Sequence, residues 1–262
     1  MPVVIQLSQL NEMIASAYWP FVRISAMLMV APIYAASSFP VRIRVVLAVL
    51  ITAVLYPVID PVTGVDPVSF EGFIILGQQV IIGAAMGFFL QMAFQLLVIA
   101  GEAIAMTMGL GFARMMDPQN GVQVPVVAQY FIIVATLLFL SMNGHLLLLQ
   151  MIIQSFEILP VSQTGMSREG LWLVVSWGSQ MFIGAVLVAL PAVTALLMSN
   201  IAMGVVTRAA PQLNIFAVGF PLMLLLGFVL LMLTLPSVLP QFSNQIMHAF
   251  DSAYAAIAAG RI

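Results

Sequence analysis

The chain has no cysteine and no lysine. Without cysteine there are no disulfides, thiolate metal sites or thiol nucleophiles, and cysteine usage says nothing of redox compartment. Without lysine there is neither a lysine-dependent phosphate loop nor Schiff-base chemistry. Charge is the next scarcity: 6% of the 262 residues are charged, against about 25% in an ordinary soluble domain. A water-soluble monomer cannot cover its surface from so small a supply. The net charge of −2 gives no electrostatic reason to bind nucleic acid. Catalytic signatures are missing as well. There is no HExxH pair and no GxSxG elbow. The two histidines, His145 and His248, lie far apart and have no acids at ligand spacing. His145 reads first as a polar residue satisfied within helix packing, with a proton relay as the alternative. An enzyme is therefore not the leading class, and neither a metal nor a cofactor is expected.

What is present is hydrophobicity: 63% of residues are apolar and the mean hydropathy is +1.17. Apolar runs occupy 13–34, 43–59, 73–100, 126–153, 171–206 and 215–235, separated by short polar or proline-rich breaks. About 20 apolar residues cross a hydrocarbon core as a helix. The runs are apolar all round rather than alternating, which excludes a membrane barrel. The expectation is an all-α membrane protein of about six long, partly broken hydrophobic helices. The runs at 73–100 and 171–206 are too long for simple spans and must tilt, kink or leave the bilayer. Pro191 offers a kink in the second of these. Pro236 and Pro240 are expected to close the last run ahead of an amphipathic tail. The N-terminus lacks the early positive charge of a secretory signal, so the first segment is expected to be retained. Arginines favour cytoplasmic odd-numbered loops by four to two.

Three features carry more than hydropathy. Gly83 and Gly87 form a GxxxG pair, which lets helix backbones approach closely. Arg23 and Glu102 are ionisable groups in or beside apolar runs, where a charge costs roughly 2.5–3.5 kcal/mol on insertion scales. They suit a buried pair or a subunit contact, or alternatively an ion or proton path. The third feature is the stretch 101–125, GEAIAMTMGLGFARMMDPQNGVQVP. Gly109 and Gly111 loosen its backbone, Met106, Met108, Met115 and Met116 bring flexible thioethers, and Asp117-Pro118 forces a turn. A Met- and Phe-rich loop suits a hydrophobic constriction that blocks ions. An interhelical loop with core methionines fits the same residues equally well.

At this point the motifs converge on a known family. Arg208, Pro211, Gln212, Asn214 and Phe216, followed by Gly219, Phe220 and Pro221, resemble the RxxPQxNxFxxGFP signature of the FliR family, the R subunit of the flagellar type III export gate. Pro32 and the 38–44 turn with Arg42 and Arg44 are similar to the family's proline-and-arginine turn. Gly101-Glu102, the 109–113 stretch GLGFA and Asp117-Pro118 resemble its central loop, and Asn143-Gly144-His145 its glycine–histidine pair. The order and spacing hold over nearly the whole chain.

The resemblance implies helical hairpins within a helical export-gate assembly, with residues 1–165 as a P-like part and 166–262 as a Q-like hairpin and tail. It implies several copies each of FliP and FliQ as partners, together with FlhB and FlhA, and unfolded export substrates. It places the assembly at the bacterial inner membrane, within the flagellar basal body. It also implies that a central loop plugs the closed pore. By position that loop is Met106, Met108, Gly109, Leu110, Gly111, Phe112, Ala113, Arg114, Met115, Met116, Asp117 and Pro118, with Phe112 at its centre. The 211–214 segment reads as a structural turn, at a subunit seam, in preference to a substrate contact. The homologous injectisome T subunit is the alternative within this class. A small-molecule permease is less favoured, because polar groups cluster in loops rather than at mid-membrane.

Overall fold

A computed structural model describes residues 7–36, 39–59, 67–111, 126–210 and 215–259, with side chains from Ser16 onward in the first helix and from Val218 onward in the last. Among these residues the chain is helical, without a strand. The segments are α1 (Leu7–Val30), α2 (Val41–Leu55), α3 (Phe70–Thr107), α4 (Val126–Ser141), α5 (Gly144–Ile158), α6 (Arg168–Ser176), α7 (Gly178–Ala209) and α8 (Ile215–Ala258). Only Trp177 separates α6 from α7, so the two run as one helix and the described residues form seven, where the apolar runs suggest about six. Among the described residues three helices are long and apolar enough to cross a membrane, or four if α4 and α5 form one broken span.

Two sequence expectations need correction. The fourth run is not one helix. It breaks at Met142 and Asn143, where Asn143 takes a left-handed φ of 57° and starts α5. Asparagine tolerates that conformation better than most residues other than glycine. Nor do the last prolines end a helix: α8 continues through Pro221, Pro236 and Pro240 for 44 residues. Thr234 and Ser237 donate to carbonyls of the preceding turn beside these prolines. The buried stripe of Leu231, Val238, Phe242 and Ile246 continues across them. Tertiary packing thus outweighs the lost backbone donors, as it does in other helices of apolar proteins.

The chain divides into two compact units, each discontinuous in sequence. One comprises Met1–Met92, Asn143–Gly178 and Met247–Ile262; the other, Ala93–Met142 and Ser179–Ile246. In the first, α1 presents Trp19, Arg23, Ile24 and Met27, a stripe at helical spacing, and Ala31 just beyond its end continues it; all are fully buried. Gly83 and Gly87 of α3 face this helix. A β-carbon at Gly83 would strike the carbonyl oxygen of Arg23, and one at Gly87 would lie 2.8 Å from that of Met27. The two backbones therefore touch where side chains normally intervene. Phe89 and Trp177 stack edge to face, and the Trp177 indole donates to Ser252 at 3.1 Å. In the second unit Phe94 lies edge-on to both Phe139 and Phe242, at 5.7 and 5.3 Å between centroids. There the α3 and α4 backbones also meet closely, at Gly101 and Ala128.

Candidate functional site

The central loop is rooted at the C-terminus of α3. The helix ends there because residue 109 is a glycine able to adopt φ +86°. Gly109 donates its N–H to the Met106 carbonyl at 3.1 Å, and Leu110 donates to that of Ala105 at 3.0 Å. This pair of bonds is a Schellman cap, which satisfies carbonyls that a helix end leaves free.

Three contacts within the second unit surround this root. Met108 is buried, with 1% of its surface accessible, and its side chain occupies the space a β-carbon on Gly227 would need, 2.6 Å from Cγ and 2.7 Å from Sδ. The ring of Phe220 lies 3.4 Å from where a β-carbon on Gly109 would stand. Asn200 of α7 donates its Nδ2–H to the Thr107 carbonyl at 3.4 Å. Met106, by contrast, points outward and is 62% exposed. Leu110 and Gly111 are half-buried. Phe112, Ala113, Arg114, Met115, Met116, Asp117 and Pro118 lie outside the described residues.

The second motif is spread over a junction. Arg208 is exposed in the last turn of α7, where a cation complements the negative end of the helix. Pro211, Gln212 and Asn214 lie outside the described residues, as does the side chain of Phe216. Gly219 is buried, and Phe220 and Pro221 are exposed on α8. Phe220 of this motif meets the described part of the central loop.

Arg23 occupies a different setting, in the first unit. Its Nε–H donates to Gln79 Oε1 at 2.8 Å, Nη1 to the Ser155 carbonyl at 2.8 Å and to its hydroxyl at 3.1 Å, and Nη2 to the Leu159 carbonyl at 2.9 Å. The guanidinium lies 4.1 Å from the Phe156 ring centroid. Every one of these acceptors is neutral. Ser155 and Leu159 belong to the last turn and C-cap of α5, so the negative end of a helix stands in for a carboxylate. Glu102 is half-buried in the second unit.

Sequence reasoning did not find Gln79, Ser155, Asn200 or Gly227. Each is an isolated small or polar residue within an apolar run, and its spacing alone names no partner. Among the described residues no group of three or more His, Cys, Asp or Glu could hold a metal ion.

Comparison with known proteins gives a match to the family described as bacterial export proteins, family 1, over residues 14–249. The chain is 38% identical over 223 residues to the flagellar biosynthetic protein FliR of Escherichia coli (strain K12), covering 85% of each chain. It is 37% identical over 238 residues to the protein of the same name from Pectobacterium carotovorum subsp. carotovorum, covering 91% of each. Similarity extends to the FliR protein of Bacillus subtilis (strain 168), 32% identical over 218 residues, which is 80% of this chain and 82% of that one.

Proposed function

We infer the role of the chain from the family it belongs to, the FliR branch of the bacterial export proteins, family 1: it is a membrane subunit of the flagellar export apparatus. Within that apparatus it forms part of the pore for unfolded flagellar proteins, and the 106–118 loop plugs the channel when it is closed. The pore is completed by several copies each of FliP and FliQ, with FlhB and FlhA adjoining, at the inner membrane within the basal body. Residues 1–165 act as the P-like part and 166–262 as the Q-like hairpin.

The observation that carries this reading is the capped and packed root of the central loop at Thr107–Gly109. A flexible interhelical connection has no need of three converging contacts at its first residues. The exposed apolar flanks of α7 and α8 support the assembly. Met198 and Ile201 on one and Met232 and Leu233 on the other are each about 70% exposed. Lipid or neighbouring subunits must cover them. Closing needs a constriction apolar enough to exclude hydrated ions. Opening displaces Met, Gly and Phe contacts that are individually weak, at about 0.1–0.2 kcal/mol per atom pair. Energy is supplied elsewhere in the machine, and the pore itself is passive.

The test is deletion of residues 106–116 in a chain expressed with FliP and FliQ. The complex should still assemble, and the membrane should become leaky to small ions. Unchanged conductance would remove the plug assignment. An injectisome role is the second reading. The relatives described above are named flagellar proteins, which favours the flagellar one.

A further inference from the structure

We propose that α7 and α8 carry a fixed seat for the gating loop. In this arrangement Gly227 receives Met108, and Phe220 and Asn200 hold the flanking backbone, so that the loop is anchored at 107–109. The inference rests on the gate reading above and adds to it the place where the loop is anchored.

Three consecutive residues at the end of α3 are each held by a different side chain or notch. Met108 is enclosed, and the notch exists only because position 227 is glycine: any β-carbon there would overlap the methionine side chain. Gly109 has a left-handed φ of 86°, which selects glycine, and the Phe220 ring lies at van der Waals distance from where its β-carbon would stand. Asn200 donates to a carbonyl at the helix end, where intrahelical partners run out. Met106, one residue before this set, is largely exposed. The grip therefore acts at 107–109. A methionine is suited to the notch, because its unbranched chain fills an irregular gap. Once seated there it is part of the packed interior, and a closed interior does not deform continuously. Gly109 is the last residue of the grip. The seat also joins two motifs that are far apart in sequence, the central loop and the glycine–phenylalanine–proline stretch that includes Phe220.

The natural absence of cysteine makes a direct test available. A β-carbon on Gly227 would lie 2.6 Å from Met108 Cγ, so the two β-carbons are at most about 4 Å apart, within the range a disulfide spans. The pair Met108→Cys and Gly227→Cys, in the complete export complex, should cross-link on oxidation. The cross-linked complex should remain ion-tight and export at the rate of its reduced form, because the seat does not open. Gly227→Val, which expels Met108, should assemble and leak ions about tenfold above the unsubstituted complex, since an emptied seat shifts the closed-to-open ratio. Failure to cross-link in the assembled complex, or a cross-link that stops export, would overturn the fixed seat. So would an assembled Gly227→Val complex that stays tight. The 106–116 deletion separates the two ideas. If it leaks while these variants fail, the gate reading stands and the seat falls. If it stays tight, the proposal falls together with the gate reading.

Discussion

The guanidinium of Arg23 and the amide of Gln79 meet at 2.8 Å in the interior of the first unit, with about 1% or less of either residue exposed. The cation is held by a fork of neutral acceptors at the end of α5, where the peptide dipoles converge. Gln79→Leu should leave a buried charged donor unpaired and cost about 1.5–3 kcal/mol. Arg23→Lys should cost more, because an ammonium cannot span three acceptors on two elements. Gln79→Glu should be tolerated, since a carboxylate accepts the same bond. Thermal unfolding of the purified complex in detergent checks the order. A lysine variant as stable as the parent would show that the fork geometry is unimportant.

The contact between α1 and α3 depends on glycine at two positions. Gly83→Val and Gly87→Val should each prevent the helices from closing, because the atoms in the way are backbone of α1 and cannot swing aside. The expected cost is upward of about 2 kcal/mol, at the severe end for a single overpacking substitution. Gly77, on the same helix before Gly83, stands in open space: a β-carbon there would meet nothing within 4 Å. Gly77→Ala should therefore be harmless or stabilise by about 0.5–1 kcal/mol through helix propensity. The yield of folded protein after detergent extraction distinguishes these outcomes.

Asn143 separates α4 from α5 with a positive φ, and its side chain makes no capping hydrogen bond. Asn143→Gly should consequently be neutral, while Asn143→Val should lose about 1–2 kcal/mol to left-handed strain. Limited proteolysis near residue 143 provides the measurement. Equal protection of the valine and glycine variants would argue against strain at this position.

Much of the architecture was legible because hydropathy in an apolar chain is nearly all signal. The runs located α2, the start of α3 and the α6–α7 stretch to within about four residues, but α3 continues past Ala100 to Thr107. The break at Asn143 was visible as a polar dip, but helix and left-handed cap look alike in composition. The continuation of α8 past Pro236 was hidden, since a proline rule describes local hydrogen bonding, and here burial of Val238 and Phe242 decides. Gly109 was legible as a loosening of the backbone. Its role as the closing residue of α3 needed the pair of bonds to Met106 and Ala105. The partners of Arg23 lie 56 to 136 residues away along the chain, a separation that no local pattern encodes. Gly227 sits in a leucine-rich run, where a lone glycine reads as filler until the methionine facing it is seen.

The Gly83–Gly87 crossing bears on how the protein responds to temperature. Burial driven by water weakens on cooling, because its driving force comes from solvent entropy. Where helix backbones touch at glycines, the contact itself rests on dispersion and shape more than on displaced water. The α1–α3 seam at Gly83 and Gly87 thus leans less on solvent than a seam closed by side chains alone, and cooling should loosen it less than one of that kind.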